Sequence, residues 1–191
     1  MDQNEVKELF KKNNALLSGH FLLSSGLHSD TYFQSALILQ YPREAEKLAA
    51  ELSKKVKEKE IKVDLIVSPA MGGIIIGHEI GRALGVRAIF TERVDGKVML
   101  RRGFFADKGA KALVAEDVVT TGLSTKEVID ALANYGVEIA AVVSLVDRSA
   151  GKVDFGVPRF SLLSLDIKSY KAEECPMCRE GGLPVKPGSR K

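Results

Sequence analysis

Acidic residues and a run of small hydroxyl residues stand side by side near the middle of the chain. The segment consists of Glu116, Asp117, Val118, Val119, Thr120, Thr121, Gly122, Leu123 and Ser124. A turn of glycine and hydroxyl residues that leads into a helix presents backbone N–H groups and hydroxyls to one phosphate. Two adjacent carboxylates cannot bind that phosphate, but they can accept hydrogen bonds from sugar hydroxyls or hold Mg²⁺ that phosphates share. The segment therefore predicts a ribose 5-phosphate site.

A purely structural interpretation of the same residues also exists. A strand that ends in Glu-Asp before a Thr-Thr-Gly turn can simply supply the N-cap of the next helix. The phosphate site is favoured because four apolar residues, two acids and Thr-Thr-Gly-x-Ser stand together in one run. The run is not a nucleotide-binding P-loop, because no lysine follows Gly122.

The elements around this segment must hold it at the edge of a sheet. Apolar runs of strand length are predicted as strands at 63–68, 86–90, 111–117, 137–147 and 159–166. Between them, helices are predicted at 74–84 and 125–135. Unbroken apolar strands that alternate with helices indicate right-handed crossovers and a parallel sheet. We therefore predict an α/β fold, with a doubly wound, mainly parallel sheet flanked by helices, whose ligands lie beyond the carboxyl ends of the strands.

The chain is predicted to form a single domain in three parts. Residues 1–40 contain a short amphipathic helix at 3–17 and then two short strands, and they form an appendage over the core. Residues 41–170 form the core, whose first helix opens at Pro42. Residues 171–191 form a tail with a C-x-x-C pair, and its last stretch, GGLPVKPGSRK, is predicted to be mobile.

Composition disfavours several classes of protein. The chain has 191 residues, 45% of them hydrophobic, and a net charge of +3, an excess too small to indicate nucleic-acid binding. No apolar run reaches the ~18–20 residues that span a membrane, and the polar start, MDQNEVKELFKKNN, is unlike a signal peptide. A soluble, cytoplasmic protein that binds neither nucleic acid nor membrane is therefore expected.

The segment 112–124 resembles the 5-phosphoribosyl 1-diphosphate motif of the type I phosphoribosyltransferases, and the likeness extends over nearly the whole chain. The stretch FLLSSGLHSDTYFQ (21–34) resembles the hood over the base in the orotate branch of that family, and VSPAMGGIIIG (67–77) resembles its pyrophosphate loop. The resemblance implies the type I phosphoribosyltransferase fold with a small N-terminal hood. It implies an enzyme that transfers a 5-phosphoribosyl group from 5-phospho-α-D-ribose 1-diphosphate to orotate, giving orotidine 5′-monophosphate and diphosphate in pyrimidine (UMP) biosynthesis.

The same resemblance implies where each substrate binds. Residues 116–124 would bind phosphoribosyl diphosphate. Thr120 and Arg148 match residues that contact orotate, and a guanidinium suits a carboxylate because it can donate two parallel hydrogen bonds. Tyr32 and Phe33 are expected near the base, with plain core packing as the alternative. Mg²⁺ is implied as the cofactor, held mainly by the substrate, and so is a homodimer whose flexible loop reaches the partner's site.

Two departures from the best-known members of the family concern the leaving group. Those members carry a lysine in the pyrophosphate loop where this chain has Gly72, and a Lys-x-x-Lys-x-His pattern in the flexible loop. The corresponding stretch here, TERVDGKVMLRRGF (91–104), has no histidine. Arg93 and Lys97 are predicted to meet the diphosphate, with a solvated charged loop as the alternative, and the glycines of the stretch are predicted to let it open and close.

Two other functions stay open at the level of sequence. A purine phosphoribosyltransferase is disfavoured by the segment 21–34 and by Arg148. A non-enzymatic regulator that senses phosphoribosyl diphosphate usually adds a DNA-binding domain or a basic RNA-binding face, and this chain has no extra domain.

The cysteines and histidines are not part of this scheme. Cys175 and Cys178 form a lone C-x-x-C pair, and a structural zinc would need two more ligands, which the neighbouring sequence does not offer. The pair is interpreted as free thiols, as a local disulfide, or as half of a zinc site shared across a dimer. His78 is interpreted as a packed helix residue, and no role is assigned to His20 or His28.

Overall fold

The fold is an open six-stranded sheet flanked by helices, with a two-stranded sheet beside it. The computed structural model describes residues 1–23 and 25–187. Its elements in chain order are α1 (Gln3–Lys12), β1 (Leu16–Leu22), β2 (His28–Phe33), α2 (Ala36–Leu39), α3 (Pro42–Glu58), β3 (Leu65–Pro69), α4 (Gly73–Leu84), β4 (Arg87–Val94), β5 (Lys97–Leu100), β6 (Lys111–Val119), α5 (Leu123–Ala133), β7 (Glu138–Asp147), β8 (Arg159–Ser164), a 3₁₀ turn (Ala172–Glu174) and α6 (Pro176–Arg179). Within the described ranges, no helix is both long enough and apolar enough to cross a membrane.

The large sheet has the strand order β5-β4-β3-β6-β7-β8. Its neighbouring strands are parallel, except that β4 and β5 form an antiparallel hairpin. Because successive residues of a strand point to opposite faces, Ile66 packs in the core beneath α3 and α4, whereas Leu65 and Val67 pack with Val128 of α5. The predicted doubly wound, mainly parallel α/β fold is confirmed.

The crossovers diverge between β3 and β6, in the middle of the sheet. From β3 the chain passes through α4 to β4 on one side, and from β6 it passes through α5 to β7 on the other. Diverging crossovers leave a crevice outside the carboxyl ends of the two strands. The loop 70–72 after β3 and the loop 120–122 after β6 therefore open into the same crevice.

Three glycines on one side of α4 bring that helix close to the sheet. A Cβ at Gly73 would lie 2.8 Å from the Ala115 carbonyl oxygen, and one at Gly77 would lie 2.0 Å from Ser68 Oγ. One at Gly81 would lie 2.9 Å from a methyl group of β4. Any larger residue at these positions would push α4 away from β3 and β6. The spacing thus holds the start of α4 against the end of β6.

Most of the stretch 91–104 is a β-hairpin, where the sequence analysis expects a flexible loop. The hairpin pairs Thr91 with Leu100 and Val94 with Lys97. Its turn residues, Asp95 and Gly96, have φ values of 48° and 79°, as two-residue hairpin turns require. Charged residues on both strands obscure the strand pattern, although the Asp-Gly turn signal stands in the sequence.

The small sheet and the C-terminal tail are bound to each other. The helix α1 ends earlier than predicted, and β1 and β2 pair antiparallel to form what we call the hood, residues 16–33. Val185 N donates to the His20 carbonyl at 2.8 Å, and Leu22 N donates to the Val185 carbonyl at 2.9 Å. The tail therefore pairs with the hood at Val185, while residues 188–191 lie outside the described part, and the predicted mobility stays a prediction.

Candidate active site

The end of β6 places a buried carboxyl at the crevice. Glu116 is only 5% exposed, and it accepts a hydrogen bond from Ser124 Oγ at 2.8 Å and one from the Asp117 amide at 3.2 Å. Burial and the neighbouring charge of Asp117 raise the pKa of Glu116 well above its usual range. Glu116 therefore retains a proton to higher pH than an ordinary glutamate, and the start of α5 holds it in place.

Asp117 stands beside it and faces the loop 70–72. Its side chain is half-buried, and Oδ1 accepts a hydrogen bond from the Val118 amide at 2.9 Å. A Cβ at Gly72 would lie 2.7 Å from Asp117 Oδ1 and 2.9 Å from Oδ2. Glycine at position 72 thus lets the backbone of the loop approach this carboxylate directly.

The turn between β6 and α5 depends on a glycine. Gly122 has φ of +75°, and a Cβ there would lie 2.5 Å from Val153 Cγ1 and 3.0 Å from the Phe155 ring. Position 122 therefore tolerates no side chain, because both backbone conformation and space exclude one. Thr121 and Ser124 are exposed on either side, and α5 begins without a side-chain cap. The predicted phosphate loop is thus an open helix N-terminus lined with hydroxyls.

Arg148 follows β7 and is buried against the hood. It is 5% exposed, and its Nη2 donates a hydrogen bond to Ser29 Oγ of β2 at 2.8 Å. Its backbone amide donates to the Val119 carbonyl at 2.8 Å, which places it next to Thr120. Its Nε has no partner, and no carboxylate of the described residues forms an ion pair with it.

Tyr32 of the hood and Arg148 influence each other's pKa, consistent with the contact between Arg148 and Ser29. Burial raises the pKa of Tyr32, the charge of Asp117 raises it further, and Arg148 acts in the opposite direction. Burial also lowers the pKa of Arg148, while Asp30 and Tyr32 oppose that shift. Tyr32 is thus close enough to both Asp117 and Arg148 for their charges to act on it.

Asp147 positions the loop that carries Arg148, and the sequence analysis does not assign this role to it. It is 2% exposed, and it accepts hydrogen bonds from the Ser149 amide and hydroxyl at 2.8 and 2.6 Å and from the Gly151 amide at 3.0 Å. Arg159 Nη1 lies 2.6 Å from its Oδ2. Burial acts to raise the pKa of Asp147, but these hydrogen bonds outweigh it and lower the pKa. The only sequence signal was its place at a strand end beside Arg148.

The two predicted loop cations lie on the β4–β5 hairpin, apart from the acidic pair. Arg93 forms an ion pair with Glu127 of α5, and its Nη1 donates to the Gly96 carbonyl at 2.9 Å. The hydrogen bond to Glu127 raises the pKa of Arg93. Lys97 is exposed and takes part in no ion pair within the described ranges. His78, predicted to be packed, is exposed on α4.

Comparisons with known proteins now define the class of the chain. Residues 37–158 match the model of the phosphoribosyl transferase domain. An orotate phosphoribosyltransferase of Caldanaerobacter subterraneus is 52% identical over 191 residues and is covered completely, as is this chain. One of Carboxydothermus hydrogenoformans is 52% identical over 187 residues, with 98% of each chain covered.

A solved structure supports the same fold. The orotate phosphoribosyltransferase of Aeropyrum pernix superposes with a TM-score of 0.69 at 24% identity, over 84% of this chain and 93% of that one. The chain belongs to the phosphoribosyltransferase family, and within it to the orotate phosphoribosyltransferases.

Proposed function

We propose that the chain transfers the 5-phosphoribosyl group of 5-phospho-α-D-ribose 1-diphosphate to orotate, forming orotidine 5′-monophosphate and diphosphate in de novo pyrimidine biosynthesis. Arg148 carries the choice of base, because it is a buried guanidinium without an ion-pair partner in the described part of the chain. A buried unpaired charge costs free energy, and a bound carboxylate would offset that cost. Relatives at 50–52% identity carry the corresponding name.

At the base end, Arg148 would donate to the carboxylate of orotate. Its Nη2 donates to Ser29 Oγ, and its buried Nε has no partner among the described residues. A guanidinium pairs with a carboxylate through two parallel hydrogen bonds, which also fixes the orientation of the ring. Thr120 lies beside Arg148 and would contact the same base. The hood would cover the ring and keep water from the reacting carbon.

At the donor end, the residues after β6 would hold the ribose phosphate. Glu116 and Asp117 would accept hydrogen bonds from the sugar hydroxyls. The turn Thr120, Thr121, Gly122, Leu123 and Ser124 would bind the 5-phosphate at the N-terminus of α5, where unpaired amides and the helix dipole favour an anion.

The reaction joins a ring nitrogen of orotate to C1 of the ribose as the bond from C1 to the diphosphate oxygen breaks, and the proton of that nitrogen passes to the leaving diphosphate or to solvent. Positive charge develops on the sugar, and negative charge develops on the leaving diphosphate. Positioning and fixed charges account for most of the expected catalysis. Mg²⁺, as the cofactor, would neutralise the diphosphate. The oxygen donors of Glu116 and Asp117 are of the kind that this ion prefers, with the substrate as its main ligand.

Lys97 and Arg93 are the proposed cations for the diphosphate. We expect Lys97→Ala to raise KM for phosphoribosyl diphosphate about ten-fold, because a charge that is proposed to meet the leaving group is lost. Arg93→Ala should have a smaller effect, because Arg93 must first leave Glu127. Steady-state kinetics would measure both. Lys54→Ala, at an exposed position on α3, is the matched control. Unchanged kinetics in both hairpin variants would show that other groups meet the diphosphate.

A homodimer that shares the hairpin across its interface, and a place in the cytoplasm, are further parts of the proposal. Both rest on the resemblance to the family rather than on contacts within this chain.

A direct assay tests the proposed function. Protein, Mg²⁺ and phosphoribosyl diphosphate are mixed with orotate in one arm and with hypoxanthine or adenine in others, and nucleotide formation is followed. We expect turnover with orotate and none with the purines. Turnover with a purine alone would establish the alternative base specificity. Binding of phosphoribosyl diphosphate without turnover of any base would support a sensor.

A further inference from the structure

Four potential metal ligands meet where the tail docks on the hood. His20 comes from β1 and His28 from β2, Cys175 is the N-cap of α6, and Cys178 lies within that helix. Each offers one ligand atom, and the four atoms lie within 4.8 Å of one another. Neither histidine is near the cysteines in the sequence. The fold therefore supplies the two further ligands that the sequence around the C-x-x-C pair lacks.

The distances among these atoms are close to those of a tetrahedral zinc site. His20 Nε2 lies 3.5 Å from Cys175 Sγ and 3.7 Å from Cys178 Sγ, and His28 Nδ1 lies 3.3 Å from Cys178 Sγ. Zn–N bonds of about 2.0–2.1 Å and Zn–S bonds of about 2.3 Å place a nitrogen and a sulfur about 3.6 Å apart in a tetrahedron. The two imidazole nitrogens are 2.8 Å apart, against about 3.3 Å with the ion between them. Small side-chain shifts would therefore complete the site.

The surroundings hold the ligands in this arrangement. His20 Nδ1 lies 3.0 Å from the Gly182 carbonyl. When Nδ1 carries the proton it donates to that oxygen, which leaves Nε2 free to bind a metal, and such an outer hydrogen bond is typical of metal-bound histidines. His28 is fixed through its backbone, because its amide donates to the Tyr170 carbonyl at 2.8 Å and its carbonyl accepts from the Tyr170 amide at 2.9 Å. His28 and Cys175 are buried, and both cysteines are free thiols.

We propose that His20, His28, Cys175 and Cys178 bind one Zn²⁺ that joins the hood to the C-terminal tail. Four protein ligands leave no open position, so the site is structural and not catalytic. Thiolates and imidazoles select zinc over the Mg²⁺ expected at the diphosphate, which prefers oxygen ligands. On binding, each cysteine thiol releases its proton to solvent and donates a sulfur electron pair to the ion.

The position of the site gives the ion a second effect, and this step rests on the proposed function. Ser29, which hydrogen-bonds Arg148, directly follows His28. Fixing His28 to the tail therefore fixes the strand that covers the base. Loss of zinc is expected to raise KM for orotate more than it changes kcat.

Metal analysis of the purified full chain tests the proposal without reference to activity. Elemental analysis should find one zinc per chain, which stays bound through dialysis against a weak chelator. Cys178→Ser and the double variant Cys175→Ser/Cys178→Ser should lose at least about ten-fold in zinc affinity. His78→Ala changes an exposed histidine on α4 and should keep full zinc content.

A spectroscopic experiment on the wild-type chain tests the site even if the cysteine variants fold poorly. Wild-type chain stripped by a strong chelator under reducing conditions is titrated with Co²⁺, and thiolate-to-cobalt absorption typical of tetrahedral coordination should appear and then vanish on addition of Zn²⁺. Its unfolding temperature should fall on stripping and recover with zinc. Absence of zinc both as purified and after reduction and incubation with Zn²⁺ would overturn the proposal. So would equal zinc content in the double cysteine variant, even if the chain turns over orotate.

Discussion

Arg148→Ala is expected to lower kcat/KM for orotate by at least about 10²-fold, a loss typical of one preorganised charged contact. The guanidinium is buried beside the phosphate loop, and the variant would leave the orotate carboxylate without its partner in a buried site. The KM for phosphoribosyl diphosphate should change little, because residues 116–124 are untouched. Steady-state kinetics with each substrate varied in turn would measure both effects.

Two further variants separate recognition of the carboxylate from a general loss of structure. Arg148→Lys keeps the charge but loses the planar fork, so it should recover only part of the activity. Arg82→Ala removes an exposed arginine of α4 that pairs with Glu79 and Glu46, and should leave the kinetics unchanged. All three should unfold cooperatively near the wild-type temperature. Near-normal orotate kinetics in a folded Arg148→Ala would remove this residue from the base site.

The core of the fold is predictable because its strands are buried on both faces. Runs such as VDLIVS and VEIAAVVSLVD contain few polar residues, and each appears in the structure as a strand shifted by at most two residues at either end. The parallel arrangement follows from the intervening helices. The segment 112–124 could be located at a carboxyl end for the same reason, since every functional residue of that segment is local in sequence.

Contacts between parts of the chain that are distant in sequence could not be predicted. The hydrogen bond from Arg148 to Ser29 spans 119 positions, and the contact from Cys175 to His20 spans 155. Such pairs leave no periodic pattern, so the C-x-x-C pair looks isolated although two histidines meet it in the fold. The strand predicted at 86–90 forms the first half of β4, but the rest of the hairpin, residues 91–100, was not predicted, for a different reason. Charged residues in this part of β4 and β5 interrupt the apolar pattern, although Thr91 is buried and Val98 and Leu100 pack against the core.

Asp117→Asn is expected to reduce kcat by at least about 10²-fold, because it removes a fixed negative charge from the site where the ribose becomes positive. Its neighbour Glu116 has a raised pKa and keeps its proton to higher pH than an ordinary glutamate. Asparagine has nearly the same shape, so packing against Gly72 is preserved and the loss reports on charge. Single-turnover kinetics at saturating substrates would measure it.

Asp64→Asn is the matched control, because it makes the same chemical change at the opposite edge of the sheet, where Asp64 accepts the Lys111 amide. It should leave kcat close to that of the wild type. A folded Asp117→Asn with a similar rate would show that the negative charge of Asp117 is not needed for the transfer.

Asp117→Asn should also change how the free energy of unfolding depends on pH, because it alters the pKa of Glu116. A carboxyl whose folded pKa is raised binds its proton more tightly when folded, so the free energy of unfolding falls as pH rises from the unfolded pKa to the folded one. Asp117 contributes part of that raised pKa, after burial itself. In Asp117→Asn the decline should therefore be smaller and should end at lower pH. Urea unfolding across a pH series would measure it. Asp147 does not affect the comparison. Because its pKa is lowered, the stability that it contributes is lost only in more acidic solution, and that loss is the same in both proteins. If the free energy of unfolding declined with pH to the same extent in both proteins, the charge of Asp117 would not act on Glu116.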